Sequence, residues 1–337
     1  MLNPFATDAF NMVSLTNAIN ILPNTYGRLR DLDLMPGQGV RTRSIIVEEK
    51  NGILNLLPTR PVGAPGTQAQ RGKRKVRSFV IPHIPADDWI DPTEYQGVRA
   101  FGSENDMASL AQIMNDHLED LRSKHAITLE YLRWGALKGE ILDADGATLY
   151  NLFTEFAIPK KTVFFDLDDP DTEVQQKCFA VTRHIEDNLK GEVMNRIHCF
   201  VSSDFMDKLL THASVQKVYE GHAAAVAILG GDPRKNFTFG GITFEEFRGQ
   251  ATDMNGTTRK FIADGKAIAF PLGTRATFKT FYAPADFIET ANTIGKELYA
   301  KQEPSKFGRG VDIHSQSNPL PMCMRPAVLV EVDSAAS

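Results

Sequence analysis

Two aspartates in the middle of the chain have the residue type and spacing that could do chemistry. Asp166 and Asp168 stand in the segment KTVFFDLDDPDTEV, residues 161–174, directly after a predicted apolar strand. In such a loop one carboxylate can attack phosphorus, the other can act as acid and base, and a carboxylate cluster can hold magnesium. A magnesium-dependent phosphohydrolase is therefore one function that the sequence allows.

Two features of this loop argue against that function. The loop resembles the nucleophile loop of haloacid-dehalogenase-type phosphatases, but Pro170 stands where that family has threonine or valine. No later acidic pair follows a strand, as that family would require. Acidic loops that contain proline are more typical of solvated turns before helices. We therefore expect Asp166 and Asp168 to lie in a turn without a catalytic role.

The other residue types that commonly carry chemistry do not form a recognisable pattern. Cys178, Cys199 and Cys323 share no CxxC or CxxH spacing, which argues against a zinc site and is typical of a reducing compartment. The eight histidines do not cluster along the chain, and we expect His125 and His198 to be core residues. There is no phosphate loop and no dinucleotide-binding fingerprint. We expect no catalytic residue, metal or cofactor.

Composition excludes further classes of protein. The 337 residues carry a formal net charge of −5, which argues against a general binder of polyanions. The N-terminus lacks the basic region and apolar run of a signal peptide. No apolar stretch reaches the roughly 18 residues of a membrane span, so we expect no membrane association. The length allows one large domain or two to three smaller ones.

The element around which the chain is organised is a long helix predicted over residues 104–139. Ser103 and Asp106 form a start similar to a capping box, and Gly139 is a typical stop. At about 1.5 Å per residue the helix would be roughly 50 Å long. A core helix of a large enzyme and the spine of an elongated assembly subunit both remain possible. Its apolar positions follow the helical period: Met107, Leu110, Met114, Leu118, Leu121, His125, Leu129, Leu132 and Ala136.

Before this helix the sequence predicts a two-stranded arm. Residues 40–50 and 73–81 form the strands, and a proline- and glycine-rich connection of unusual length joins them. A basic group, Arg71, Lys73, Arg74, Lys75 and Arg77, stands at the foot of the arm. No aromatic residues interleave with it, which makes a nucleic-acid site a weak interpretation. A solvated or subunit-contacting charge cluster is favoured.

After the long helix the sequence predicts a small α/β layer. Asp145-Gly146 marks a turn between two short apolar runs. A helix capped at Thr172 and ending before Gly191, a buried strand over residues 197–201 and a helix capped at Ser203 follow one another. A strand flanked by helices is the usual unit of such a layer.

The sequence predicts strands and turns for the last third of the chain. Residues 236–247 predict a hairpin around Gly240-Gly241, and Asn255-Gly256 marks a second turn. Residues 261–270 predict another strand pair, and a final strand spans residues 327–332.

The order of these parts resembles the lambda-type major capsid proteins of tailed bacteriophages, the major capsid protein E family. The resemblance covers nearly the whole chain and depends on order and length more than on one motif. The residues that carry it are Ala136 to Ile141, Asp143 to Gly146, Phe281 to Pro284, Gly295 to Tyr299, Pro319 to Pro321, and Arg325 with Pro326.

The resemblance implies the α+β capsid fold of the Hong Kong 97 type, which tailed phages share with herpesviruses. It implies an N-terminal arm over residues 1–39 and an extended E-loop over 40–80. A peripheral domain over 81–165 would contain the long helix, 104–139, as its spine. An axial domain over 166–337 would include a C-terminal segment that returns to the core.

The resemblance also implies a function without catalysis. The chain would be the structural major capsid protein, assembling with itself into pentamers and hexamers around double-stranded DNA. Implied partners are a scaffolding protein, a portal and a decoration protein, and the shell would be assembled in the cytoplasm of a bacterial host. A soluble adaptor that uses the long helix as a partner surface remains an alternative, as does the phosphohydrolase.

Two sets of residues are candidates for this assembly function. E-loop side chains would contact the next subunit: Arg60, Arg71, Lys73, Arg74, Lys75 and Arg77. Gly135 would be the weak point at which the spine helix bends when the shell expands, because glycine destabilises a helix interior by about 1 kcal/mol.

Overall fold

The computed structural model describes residues 11–21, 27–50, 74–95, 110–217, 234–253 and 255–336. The main helices are α1 (Met12–Ile21), α2 (Arg28–Asp31), α3 (Pro92–Tyr95), α4 (Leu110–Lys138), α5 (Leu152–Phe156), α6 (Val174–Asn188) and α7 (Ser203–Thr211). The strands are β1 (Gly37–Gly39), β2 (Ser44–Lys50), β3 (Arg74–Val80), β4 (Ile84–Ile90), β5 (Glu140–Leu142), β6 (Thr148–Asn151), β7 (Lys161–Phe164), β8 (Arg196–Val201), β9 (Phe237–Phe239), β10 (Ile242–Glu246), β11 (Gln250–Thr252), β12 (Thr258–Lys260), β13 (Lys266–Leu272), β14 (Phe278–Tyr282), β15 (Tyr299–Pro304), β16 (Val311–Ser317), β17 (Pro319–Cys323) and β18 (Val330–Asp333).

The largest sheet has the strand order β7-β18-β13-β8-β10-β9. The β7–β18 and β8–β10 pairs are parallel, whereas the other pairs are antiparallel. Its central strands are apolar along nearly their whole length: β8 and β13 are buried at almost every position. Burial of both faces explains why these strands do not alternate between apolar and polar residues. The apolar side of α6, with Cys178 at its centre, packs into the same core.

Two smaller sheets join distant parts of the chain. One has the order β15-β16-β4, in which Ile84–Ile90 pairs with Val311–Ser317. The other has the order β1-β14-β17, in which Gly37–Gly39 runs parallel to β14. The C-terminal segment therefore contacts the first third of the chain through backbone hydrogen bonds. The domain boundaries predicted from the sequence stay a prediction.

The long helix α4 connects two separate hydrophobic cores. Its C-terminal half contributes to the large core, which also contains the six-stranded sheet. Its N-terminal half contributes to a small core with α1 and the β15-β16-β4 sheet. The small core consists of Leu15, Ile19, Ile90, Ile113, Met114, Leu118, Leu121, Leu298, Ala300, Val311 and Ile313. Each core needs a different end of α4, so the helix sets the position of one core relative to the other.

The end of α4 is confirmed, whereas its predicted start lies outside the described residues. Gly139 has φ +79°, and its N–H donates to the Ala136 carbonyl over 3.2 Å. A left-handed residue at this position ends the helix, and glycine adopts it without steric strain. Ser103 and the first predicted turn are among the residues that the structure does not describe.

Several predicted turns are confirmed. Gly240 and Gly241 have φ +58° and +84° between β9 and β10. Gly146 has φ +90° between β5 and β6, and Gly256 has φ +82° between β11 and β12. Each position therefore uses the backbone conformation that favours glycine.

Other local predictions were wrong. Residues 261–265 form no strand; Phe261 instead packs against Trp134 in the large core, and only Lys266–Leu272 is extended. The α7 cap is Ser202 rather than Ser203, because the chain is still extended there and its Oγ accepts the Phe205 N–H over 3.3 Å. Glu173 precedes α6 without a side-chain cap, so Thr172 has no capping role.

The final strand also begins later than predicted. A short 3-10 helix spans Pro326–Val328, and β18 covers Val330–Asp333 instead of residues 327–332. The ring of Pro326 and the missing N–H favour a turn there over a paired strand.

Candidate assembly surfaces

The arm is built from two antiparallel strands, as the sequence predicted. Ser44 of β2 pairs with Val80 of β3, and the register continues to Lys50 and Arg74. Its tip, residues 51–73, lies outside the described residues. Because side chains alternate across a strand, each face of the arm presents every second residue. The two faces have different environments.

The inner face packs on the same chain. Ile45, Val47 and Phe79 are buried in the large core. The Phe79 ring lies 5.3 Å from the Tyr150 ring in an edge-on arrangement. The Tyr150 hydroxyl accepts the Val80 N–H over 2.8 Å and donates to the Val80 carbonyl over 2.9 Å. The base of the arm is therefore firmly attached to the β5–β6 region.

The outer face of the arm exposes three large apolar side chains. Ile46, Val76 and Val80 retain 67%, 60% and 62% of their surface in the single chain. Single exposed apolar residues are common, but three neighbours on one strand pair form a patch. This patch has no contact within the described part of the chain that would bury it.

The predicted basic residues of the arm divide into three groups. Arg60, Arg71 and Lys73 lie outside the described residues. Arg74 and Lys75 lie in β3. Arg77 lies on the inner face, where its Nε donates to the Glu155 carbonyl over 2.7 Å. Its guanidinium also lies 4.7 Å from the centre of the Phe156 ring, a cation–π distance. Arg77 therefore anchors the arm to α5, and its contact with another subunit stays a prediction.

The middle of α4 carries buried charged residues that sequence reasoning missed. The helix-spaced pair of Glu119 and Arg122 predicts an outer position for Arg122. Arg122 is instead buried and donates to the Ile19 carbonyl. Burial lowers the pKa of Arg122, and burial also lowers the pKa of His125 to about 4. His125 Nε2 lies 3.0 Å from the Ser315 hydroxyl. These residues lie between the two hydrophobic cores.

One turn later, Glu130 holds α2 against the long helix. Its Oε1 accepts the Leu29 N–H over 2.8 Å, and its Oε2 lies 4.0 Å from Arg133. Burial raises the pKa of Glu130, because the ionised form loses its hydration. The segment from Ile127 to Lys138 has only three charged residues, which indicates a mostly buried stretch of helix but does not identify the partners of Glu130 and Arg133.

The same end of α2 is also held to the six-stranded sheet. Arg28 donates twice to Glu245 of β10, over 2.7 Å and 2.9 Å. His198 Nε2 of β8 lies 3.1 Å from Glu245 Oε2. Burial opposes ionisation of Glu245, but the interactions with His198 and Arg28 outweigh burial and lower its pKa. The residues Arg28 and Leu29 thus connect α4 to the large sheet.

The structure provides a packing reason for Gly135. A Cβ at this position would lie 2.8 Å from the Glu140 carbonyl and 2.9 Å from the Ile141 Cα. The backbone of β5 therefore approaches α4 so closely that a residue with a Cβ at position 135 would clash with it. The helix continues through Gly135 to Lys138, and the role of Gly135 as a hinge stays a prediction.

Four histidines from different parts of the sequence make contacts in or next to β4 and β16. His83 Nδ1 contacts Asn318, His314 Nδ1 contacts Asp87, and His117 contacts Asp88 and Glu94. With His125, these residues surround β4 and β16. The sequence separation of each contact explains why the histidines showed no cluster in the sequence.

The two aspartates with possible phosphoryl chemistry lie in a turn, as expected. Asp166 has φ +51°, and its carbonyl accepts the Asp169 N–H over 3.3 Å. Asp168 Oδ1 lies 3.0 Å from the Lys208 ammonium. Across the described ranges, no group of three or more His, Cys, Asp or Glu residues could hold a metal ion. Likewise, among the helices described, none has both the length and the apolarity to cross a membrane.

Comparisons with known proteins identify the family. The model of the family described as phage major capsid protein E matches residues 11–334. The chain is 31% identical over 348 residues to the major capsid protein of Pseudomonas phage KPP10, which covers 98% of this chain and 99% of that protein. It is 30% identical over 366 residues to the major capsid protein of Salmonella phage Felix O1, which covers 100% of this chain and 99% of that protein.

The fold is similar to that of a protein assigned as a prophage capsid protein in E. coli CFT073. The TM-score is 0.59 at 14% identity, over 97% of this chain and 99% of that chain. The predicted capsid fold of the Hong Kong 97 type is therefore confirmed. The comparisons support neither the phosphohydrolase nor the adaptor. The chain belongs to the phage major capsid protein E family and is a structural protein of the capsid shell.

Proposed function

We propose that copies of this chain form pentamers and hexamers, which tile an icosahedral shell around double-stranded DNA. Head-to-tail contacts between identical subunits form rings when the rotation between neighbours closes. The chain has no catalytic role in this proposal, and it encloses DNA without sequence-specific contacts. A formal net charge of −5 suits that role, because strong attraction to phosphates needs an excess of Lys and Arg.

The observation that carries this proposal is the two-faced arm. Its inner face is buried on its own chain, whereas its outer face exposes Ile46, Val76 and Val80. A neighbouring copy that covered this patch would remove apolar surface from water, at about 25 cal/mol per Å². The basic foot, Arg71, Lys73, Arg74 and Lys75, would pair with acidic residues of that neighbour, and Arg60 of the E-loop would also contact it.

Charged residues on the outer face should prevent assembly without unfolding the subunit. Ile46→Asp combined with Val80→Asp leaves the inner face intact, so we expect a stability change within about 0.5 kcal/mol. We expect the yield of closed shells to fall at least about tenfold, because buried unpaired charges are strongly unfavourable in an interface. Sedimentation velocity and electron microscopy measure the yield. Val193→Asp, at an exposed position between α6 and β8, is the control. Normal shells from the double variant would contradict the proposed contact.

Reversal of the basic foot should stop or misdirect assembly. We expect the fourfold variant, with Glu at Arg71, Lys73, Arg74 and Lys75, to fold and to form no normal shells, because like charges would face the acidic residues of the neighbour. The matched control exchanges Lys and Arg at the same four positions and keeps the charge. Electron microscopy of both preparations is the measurement. If the glutamate variant builds normal shells, the basic foot has no role in the contact.

We further propose that α4 bends near Gly135 when a round precursor shell expands.

A scaffolding protein, a portal and a decoration protein are proposed partners, with assembly in the cytoplasm of a bacterial host. The test is electron microscopy with sedimentation of the purified chain, with and without the scaffolding protein. Closed shells, rings or tubes support the proposal. A small, uniform species under every condition would contradict self-assembly.

A further inference from the structure

His117 of α4 lies between two carboxylates from two other elements. Its Nδ1 is 2.7 Å from Asp88 Oδ2 of β4, and its Nε2 is 2.8 Å from Glu94 Oε2 of α3. One imidazole therefore connects β4, α3 and α4. Its side chain is only 19% exposed, and those of Asp88 and Glu94 are 28% and 40% exposed.

Each carboxylate is oriented by a backbone amide as well as by the histidine. Asp88 Oδ1 accepts the Trp89 N–H over 2.9 Å. Glu94 Oε1 accepts the Asp91 N–H over 3.1 Å, and Asp91 Oδ1 accepts the Thr93 N–H over 2.8 Å. The second pair of bonds is a reciprocal capping box at the start of α3. Both carboxylates therefore direct their other oxygen at the imidazole.

This geometry requires a proton on each ring nitrogen. An ionised carboxylate only accepts hydrogen bonds, so both nitrogens of His117 must donate, as only the imidazolium can. A neutral imidazole would leave one nitrogen lone pair facing a carboxylate at hydrogen-bond distance. Burial opposes the charge on His117, but the hydrogen bonds to Asp88 and Glu94 outweigh burial and raise its pKa above 6.5.

Among the described residues, none of the charged groups that act on the pKa of His117 is positive. On α4 the ionisable residue one turn away is Asp120, another carboxylate. In β4, Asp87 points to the opposite face and contacts His314 of β16. Helix α1, which also packs on α4, contains no ionisable residue between Met12 and Ile21.

We propose that Asp88, His117 and Glu94 form a proton-dependent clasp that holds β4 and α3 on the spine helix and releases them when His117 loses its proton. Strand β4 begins at Ile84, four residues after the arm ends at Val80. The clasp therefore adds a second attachment, farther along the chain, to the contacts with Tyr150 that hold the base of the arm. This proposal is independent of what the arm contacts in a neighbouring subunit.

The direction of the pH dependence follows from the raised pKa. A group whose pKa is higher in the folded state stabilises that state fully below its unfolded pKa, here the ordinary 6.5. This contribution is lost as the pH rises through the folded-state pKa. The clasp therefore holds under mildly acidic conditions and opens under alkaline conditions.

Urea unfolding of the unassembled full chain tests the clasp through its pH dependence. We expect His117→Gln to raise the unfolding equilibrium constant about tenfold near pH 5.5 and to leave it unchanged near pH 9. The reason is that the substitution removes charge-assisted hydrogen bonds, which form only while His117 is protonated. His314→Gln is the matched control, since His314 contacts one highly exposed carboxylate, and it should change the constant less than about threefold at both pH values. An equal effect of His117→Gln at both pH values would overturn the proposal.

NMR of histidine-labelled protein provides a measurement that does not depend on unfolding. We expect His117 to show two ring N–H groups below its pKa and to titrate above pH 6.5. Asp88→Asn and Glu94→Gln should each shift this midpoint downward. A single neutral tautomer at pH about 5.5, or a midpoint unaffected by both substitutions, would contradict the clasp.

Discussion

Trp134→Ala is expected to destabilise the folded chain by about 3–5 kcal/mol, the range for a large aromatic residue removed from a core. Trp134 is fully buried on α4, and its ring centre lies 4.5 Å from that of Phe247 and 4.9 Å from that of Phe200. It also stacks on Phe261 at 5.7 Å. The substitution therefore removes the aromatic contact between the spine helix and Phe200 of the large sheet and leaves a cavity.

The measurement is urea unfolding of the unassembled chain, followed by circular dichroism. Trp89→Ala is the matched control, because Trp89 is 46% exposed and its loss should change stability by less than about 1.5 kcal/mol. Trp134→Phe keeps an aromatic ring and should be intermediate between Trp134→Ala and the unsubstituted chain. Equal stability of the Trp134→Ala and Trp89→Ala variants would show that α4 is not anchored through Trp134.

Gly135→Ala is expected to destabilise the chain although it improves helix propensity. Alanine stabilises a helix interior by about 1 kcal/mol relative to glycine. The added Cβ would lie within 2.9 Å of the Glu140 carbonyl and the Ile141 Cα, both of which are backbone atoms. Because backbone atoms cannot rotate away, overpacking of about 1–3 kcal/mol should outweigh the gain. Urea unfolding measures the net loss, which we expect to be about 1 kcal/mol.

Thr128→Ala on the same helix is the control for this prediction. Thr128 lies away from the contact with β5, and its hydroxyl donates to the Lys124 carbonyl within the helix. Alanine should therefore keep or raise stability there. A stabilised Gly135→Ala variant would show that β5 moves away at little cost. Cryo-electron microscopy of its shells before and after expansion tests the proposed hinge, and unchanged expansion would count against it.

The local backbone conformation was predictable wherever a few neighbouring residues determine it. Gly139 ends α4, and Gly240-Gly241 and Asn255-Gly256 turn two hairpins, because these positions need φ angles that glycine adopts without strain. The period of the apolar residues predicted α4 over most of its length. Errors arose where tertiary packing decides, as at Phe261, whose apolar neighbourhood looked like a strand but fills the core beside Trp134.

The charged contacts were beyond sequence reasoning because their partners are distant in the chain. Arg28 and Glu245 are separated by 217 residues, and Leu29 and Glu130 by 101. His117 and Asp88 are closer, 29 residues apart, but they lie on different elements. No periodicity connects such pairs. Helical spacing alone can therefore place a charged residue on the outer side although a segment distant in the sequence covers it, as Ile19 contacts Arg122.

The sequence by itself determined the family, the long helix, the two-stranded arm and the principal turns. The long helix, the arm and the turns follow from residue types within short segments of the sequence. The family follows from the order of those segments. Only the tertiary structure decided which side of the arm is free, why residue 135 must be glycine and which charges are buried. These properties depend on what the rest of the chain places beside a residue, and that placement follows from the summed packing of two hydrophobic cores joined by α4.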